Sequence, residues 1–552
     1  MPSSPVVLAI DAGSTSAKVQ PFDAAGRPLA PVVRSRVAID PDGTADPLAF
    51  LASVEAAVDE ALRRWRGPVD AVALSCAWHG LVGLGSDGRP TTRLSTWSAT
   101  GPVVVAAAVE LRRRLAGGED GGGGESGGGG ESGGGGSGGG ALAAVQRRTG
   151  APVHPSLPSA RILAEGVRDP AAFGATVRWC SIGEFLEARW LAGAPGPSSS
   201  MASASGLFDQ EAGAWDADVL LALGLRPATL APVDDRPRRG LAPGYPERWP
   251  ALAGAVWWPA LGDGACALMG TGCGPPPAQP APAGGTPSPA PLAPAATGPA
   301  VGGRGPGRRA ALTVGTSAAV RVLAGGAERA ARPPGLFAYL LDADRVVLGA
   351  ARSNAGNLVE WLAAVLRLDG DLVAEVAARP PGSHGLVAVP ALAGERSPDW
   401  PLTASGSLAG LRSATTALDV AQALLEAAVC GLADAVDSLE QAVAVAGGVG
   451  SGDRSLGPAG LALVGSGRAL ATSAAWRQLV ADATGRPLIP SKVEEASARG
   501  AAVAALGGLG WLDPDADDDL DADPVLPDPA RAEAFAPLRA PARPTRDPRT
   551  AE

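Results

Sequence analysis

A carboxylate, a glycine, three hydroxyls and an amine stand together near the start of the chain, in the order Asp11-Ala-Gly13-Ser14-Thr15-Ser16-Ala-Lys18. This set suits a metal-bound polyphosphate. Asp11 would serve the Mg²⁺ side, and the turn hydroxyls and N–H groups would serve the phosphate oxygens. An ordinary β-hairpin with a polar turn would look the same. Some 300 residues later Gly315-Thr316-Ser317 repeats the design without the carboxylate. Two such turns point to a duplicated fold whose halves face one nucleotide. A second carboxylate, Asp263, stands between Gly262 and Gly264. The flanking glycines would let a substrate approach it closely, and a carboxylate so placed could accept a hydroxyl proton during phosphoryl transfer. Gly-Asp-Gly is also a common turn.

The elements that would hold these groups are legible as apolar runs. Val6–Ile10 reads as a buried strand and Gly13 as the sharp turn after it, with a second strand running to Phe22. Val32–Ile39 reads as a strand. Asp46–Arg66 has helical apolar spacing, and Val69–Ser75 is a buried strand. That strand ends in Ser75-Cys76-Ala77-Trp78-His79-Gly80. Polar and aromatic groups at a strand end usually face a cleft in an α/β fold, although a histidine satisfied in the core is the competing explanation. Val256–Leu261 leads apolar into Asp263, and Ala311–Leu323 forms the second strand–turn–strand. Gly349–Trp361 is a polar turn opening a helix, whose N-terminus favours anions. Ser413–Glu440 is a long helical run, and Leu461–Gly467 ends a strand in glycines.

The chain has 552 residues, enough for two large domains. Its 46 basic and 56 acidic residues leave a net charge of −10, so no nucleic-acid face is implied. Lysine occurs twice, at Lys18 and Lys492. Five scattered cysteines and three histidines make a zinc site unexpected. No apolar run reaches the length of a membrane span. A soluble, cytoplasmic protein is expected, with no membrane partner. Residues 117–140 are nearly all glycine and read as a disordered insertion. Residues 274–309 read as a second, rich in Pro, Ala and Gly, and 447–457 as a third. Residues 512–552 read as a disordered acidic tail.

The paired phosphate turns resemble those of the actin/hexokinase/Hsp70 ATPase fold, and the wider motif set is similar to the FGGY carbohydrate kinases. Gly394-Glu395-Arg396-Ser397-Pro398 is similar to a loop of that family, and among its members the gluconate kinases are nearest, through Ser75-x-x-x-His79 and Thr149-Gly150-x-x-x-His154-Pro155. The resemblance covers roughly residues 5–511, outside the insertions. It implies an α/β fold of two actin-like (ribonuclease H-like) domains around an interdomain cleft. Residues 5–273 would bind the sugar and 310–511 the nucleotide. It also implies Mg·ATP as phosphoryl donor and a small-molecule sugar or sugar acid as acceptor, with a homodimer as one open assembly. Asp263 would be the catalytic base and Asp11 would hold Mg²⁺ through water. Gly13, Ser14, Thr15, Lys18, Gly315, Thr316 and Ser317 would cradle phosphates. Gly356, Gly465 and Gly467 would line the nucleotide, and Trp78, His79, Gly80 and His154 would meet the sugar. His154 could equally cap its loop, and Arg161 could pair with a carboxylate or simply be solvated.

The chain departs from the family pattern at two places. Where the family reads Trp-x-Asp-x-Arg, this chain has Trp97-Ser98-Ala99-Thr100, and where the adenosine motif reads Gly-Gly, it has Gly467-Arg468. Gluconate or a similar polyol acid is the expected substrate. A pentulose kinase and a catalytically weak sugar sensor are the alternatives.

Overall fold

The computed structural model describes residues 4–117, 137–193, 195–275, 308–325, 332–446, 460–513 and 520–539. The chain forms two compact units. One comprises residues 10–21 and 30–263; the other comprises 1–9, 22–29 and 264–552.

The first unit is built on a five-stranded sheet. Its strands are β1 (Val7–Ala12), β2 (Ser16–Phe22), β3 (Val33–Arg36), β4 (Ala71–Cys76) and β5 (Val256–Gly262). The spatial order is β5-β4-β1-β2-β3. Strands β4 and β5 are buried along their whole length, as strands covered on both faces must be. They run parallel, with Gly262 opposite Cys76, and the register shifts between Trp258 and Leu261. Their C-terminal ends therefore lie side by side. Helix α1 (Pro47–Arg64) starts on the Asp46 cap, which accepts from the N–H groups of Leu48 and Ala49. Helices α2 (Pro102–Leu115), α3 (Pro158–Arg168) and α4 (Ile182–Trp190) complete the layers around Leu111, Ile162 and Trp179.

The second unit repeats the plan. Strands β6 (Arg309–Val314) and β7 (Ala318–Gly325) make the hairpin, followed by β8 (Phe337–Leu340), β9 (Arg345–Arg352), β10 (Ala462–Ser466) and β11 (Leu488–Pro490). The order is β8-β9-β7-β6-β10-β11. Apart from β8, this is the first sheet's order of hairpin, antiparallel third strand and two further strands. The duplication expected from the paired turns is thus present in the topology.

The boundaries differ from the sequence expectation in three places. The first unit ends at Asp263, not at 273. Helix α5 (Asp263–Gly270) packs backbone to backbone on the later helix Ala496–Gly508. A Cβ at Gly270 would lie 1.8 Å from the Ala496 carbonyl oxygen, and one at Gly500 would lie 1.7 Å from that of Cys266. The expected insertions at 117–140, 274–309 and 447–457 lie largely outside the described residues, but residues 137–140 are the first turn of the helix Ser137–Thr149.

The third difference is the tail, where residues 520–539 are ordered. Val525 and Leu488 exchange two backbone hydrogen bonds, at 2.8 and 2.9 Å, so the tail pairs with the edge strand β11. Asp521 forms a two-pronged ion pair with Arg309, both bonds 2.7 Å. A short helix, Pro529–Phe535, buries Phe535 completely. Of the acidic residues here, Asp521 is the partner of an arginine and Asp528 caps the helix. Among the described residues no helix is long and apolar enough to cross a membrane.

Candidate active site

Asp11 sits near the end of β1 and is 4 % exposed. Ser75, at the end of β4, donates its hydroxyl to Asp11 Oδ1 at 2.8 Å. Lys18, on β2, approaches Oδ2 at 3.4 Å. The carboxylate is therefore oriented from one side and charge-balanced from the other. Beside it the turn Gly13-Ser14-Thr15 is partly exposed, and a Cβ on Gly13 would crowd the Ser16 carbonyl oxygen at 3.1 Å.

Asp263 is not in a turn. Strand β5 runs straight into helix α5, and Asp263 is the helix's first residue. The positive end of a helix favours a carboxylate there. The backbone N–H of Trp78 donates to Asp263 Oδ1 at 3.3 Å. The Trp78 ring covers Gly262, where a Cβ would lie 1.6 Å from Nε1, and that Nε1 donates to the Ser200 carbonyl at 3.3 Å. Ser200 Oγ accepts from the Gly262 N–H at 3.2 Å. The glycine before Asp263 is thus required by an indole ring.

His79 adopts φ +67°, in the left-handed region that non-glycine residues seldom occupy. Its ring Nδ1 lies 2.7 Å from the Ala204 carbonyl oxygen. Gly80 turns inward, where a Cβ would meet Ile182 Cδ1 at 2.2 Å, so close packing accounts for this glycine. Behind these residues lies a cavity of about 30 Å³, lined by Trp179 and Leu207 among others. It has room for roughly one water and none for a sugar. His154 is buried, with Nδ1 2.8 Å from Ser156 Oγ, and it caps its own loop.

Arg161 is not solvated, contrary to the simpler sequence expectation. It is 2 % exposed and lies beneath three of these segments. It donates to the carbonyls of His79 and Thr96, to the Ser156 carbonyl at 3.2 Å and to Ser95 Oγ at 3.4 Å. Burial draws its pKa down to about 9, which leaves it charged at neutral pH.

In the second unit, Gly315, Thr316 and Ser317 form the turn between β6 and β7, with Thr316 exposed. Helix α6 (Gly356–Leu366) is fastened to this turn. The Gly356 N–H donates to the Gly315 carbonyl at 2.9 Å, and the Asn357 N–H to that of Thr316 at 3.1 Å. A Cβ on Gly356 would stand 2.4 Å from the Gly315 oxygen. Gly356 is therefore a brace, its N–H engaged by protein. Gly467, at φ +88°, presses on Val314, the residue before the turn, with a Cβ position 2.5 Å from its carbonyl oxygen. Gly465 is buried against Leu470 and Leu488, and Arg468 is exposed. The Gly394-Glu395-Arg396 loop supports the turn before α6. Glu395 accepts from the Ser353 N–H at 3.0 Å and pairs with Arg352, while Asn354 donates to the Gly394 carbonyl at 2.8 Å.

Sequence reasoning named Ser75 and Arg161 without these partners, and gave Ser200 and Asn357 no role in this framework. Ser75 carried a signal, since it ends a strand neighbouring that of Asp11. The other three meet their partners only through tertiary packing.

Two halves with one topology, each carrying a strand–turn–strand with Gly, Ser and Thr, define the two-domain actin-like ATPase fold. A solved structure described as gluconate kinase from Lactobacillus acidophilus shares this fold, with a TM-score of 0.73 at 20 % identity over 97 % of this chain and 96 % of that one. Residues 310–508 match the C-terminal domain of the FGGY family of carbohydrate kinases. The match spans most of the second unit, and the likeness to this family is carried by that domain. A gluconokinase of Bacillus licheniformis is 24 % identical over 390 residues, which is 67 % of this chain and 66 % of the relative. A xylulose kinase of Streptomyces rubiginosus is 35 % identical over 206 residues, 37 % of each chain. The chain thus spans just under two thirds of the first relative and well under half of the second.

Proposed function

We propose that the protein transfers the γ-phosphoryl group of Mg·ATP to a hydroxyl of gluconate or a similar sugar acid or polyol. The observation that carries this reading is the seating of Asp263 at a strand–helix junction. One of its oxygens is held by the Trp78 N–H, and Asp11 and Ser75 stand on neighbouring strands of the same sheet.

Asp263 is the base. The helix N-terminus favours a carboxylate here and the Trp78 N–H orients it, so that it can accept the acceptor hydroxyl's proton as the new P–O bond forms. Asp11, preset by Ser75 and Lys18, is suited to hold a hydrated Mg²⁺. Among the described residues there is no group of three or more His, Cys, Asp or Glu side chains able to hold a metal, so this is not an all-protein cage. That fits a cation carried largely by phosphate and water. When bound, Mg·ATP supplies the phosphoryl group and neutralises charge as it is transferred. Gly13, Ser14, Thr15, Gly315, Thr316 and Ser317 present hydroxyls and N–H groups to phosphate oxygens. Gly356 and Gly467 keep the second turn in shape, and Gly465 packs β10 beneath it. Trp78 and His79 border the acceptor beside Asp263, with His154 stiffening the adjoining loop.

A second reading, a pentulose kinase, is favoured by the likeness to the Streptomyces rubiginosus protein. The test is ADP release from Mg·ATP with gluconate, xylulose, ribulose and glycerol, with Asp263→Asn as control. Turnover of gluconate, lowered about 10²- to 10⁴-fold in the variant, is expected. Turnover of a ketopentose alone would replace the substrate. Saturable binding without turnover of any acceptor would leave a sugar sensor.

A further inference from the structure

Among the described residues Arg161 is a buried cation with no ion-pair partner. Each of its hydrogen-bond partners is a carbonyl or a hydroxyl, and it forms no ion pair among the described residues. Burying a guanidinium without an opposite charge is costly, and neutral acceptors compensate only part of that cost. An apolar or uncharged residue would avoid the expense if packing were its whole role. Its place is also specific. Its partners His79, Thr96 and Ser156 belong to three segments separated in sequence, and His79 is the residue next to Trp78, whose N–H holds Asp263. One Arg161 bond is to the carbonyl of His79 itself, which sits at φ +67°.

We infer that Arg161 is a positioning residue that locks His79 and its two neighbouring loops, and that its unbalanced charge makes this site prefer a sugar acid over a neutral polyol. The inference rests on the proposed acceptor site and deepens it by assigning the origin of carboxylate preference. The charge acts at a distance. A unit charge about 10 Å from a carboxylate, in a medium of effective dielectric about 20, would change relative affinity by about 10-fold. The clamp acts differently, because loosening His79 weakens every acceptor alike.

The two effects separate in a binding experiment on the full-length protein with gluconate and with glucitol, its neutral counterpart at C1. Calorimetry on wild type should show gluconate bound more tightly. Arg161→Met should lower the gluconate-to-glucitol affinity ratio about 10-fold, whereas Arg161→Lys should weaken both ligands and keep the ratio. Equal losses for both ligands in Arg161→Met would leave a mere staple and overturn the charge assignment. So would a wild type that does not distinguish the two ligands. If Arg161→Met does not fold, Arg161→Lys decides, since a fallen ratio there also overturns the proposal. Binding with the expected ratios but no ADP release would sink the kinase reading and leave the role of Arg161 standing.

Discussion

Gly262→Ala tests the junction that seats Asp263. The added methyl would fall 1.6 Å from Trp78 Nε1, 2.0 Å from Cε2 and 2.2 Å from Cδ1. Ordinary carbon contacts begin near 3.5 Å, so the ring or the strand must move by more than an ångström. Trp78 is 5 % exposed and has little room to retreat. Overpacking of this kind costs about 1–3 kcal/mol. Losing the bond from Nε1 to the Ser200 carbonyl adds about 1 kcal/mol. The sum, about 2–4 kcal/mol, corresponds to a Tm lower by roughly 5–15 °C for a unit of this size. The backbone of Trp78 moves with its ring, so Asp263 loses its fixed orientation. A misplacement near 1 Å is worth about 100-fold in rate. Calorimetry and steady-state kinetics should therefore report loss of both stability and kcat in Gly262→Ala. In a Trp78→Ala background the same methyl should cost under about 1 kcal/mol, because its obstacle is gone. A Gly262→Ala protein with wild-type Tm and kcat would refute the packing and with it the account of how Asp263 is held.

Three further outcomes are expected. Gly356→Ala forces α6 away from the Gly315 carbonyl, 2.4 Å from the new Cβ, so KM for ATP should rise about 10-fold or more while KM for the acceptor changes little; equal changes in both would oppose a nucleotide role for this turn. Arg531→Ala removes the 2.7 Å partner of Asp482, which is fully buried; with donors from Gln478 and the Asp528 N–H remaining, a loss of about 3 kcal/mol is expected by urea denaturation, and none would mean the tail does not stay docked. Glu187 accepts from Arg238 and the Ala260 N–H, both at 2.9 Å, and burial pushes its carboxyl up to about 7; the folded chain then keeps a proton that the unfolded chain releases, so stability should fall by up to about 3 kcal/mol as pH rises from 4.5 to 7, and Glu187→Gln should lose that slope.

What the sequence made legible was local. The turns at Gly13–Thr15 and Gly315–Ser317 were readable because a strand, a glycine and hydroxyls are contiguous, and their recurrence foretold the duplicated sheets. What it concealed depended on distant partners. Asp263 looked like a turn residue because glycines flank it, yet one glycine lies under an indole from β4's end and the chain passes straight into a helix. Arg161 looked solvated because its helix says nothing of carbonyls 65 and 82 positions earlier. The tail looked disordered because composition counts its acids without showing that Asp521 meets Arg309, 212 residues away.

The glycines carry the sharper lesson. Gly80, Gly262, Gly356 and Gly467 all stand in or beside motifs that invite a ligand-contact reading, and at each the missing side chain makes room for protein. A local motif therefore shows where a glycine stands and not which distant group closes on it. A glycine in a phosphate or sugar motif can serve by letting a helix or an indole close on the turn. In the proposed function the groups that meet a ligand are those whose orientation the close packing fixes: Asp11, Asp263 and the turn hydroxyls. Substitutions at the glycines should accordingly act through displacement of these groups, with stability and kinetics changing together. Substitution of Asp263 itself should change kinetics with stability nearly intact.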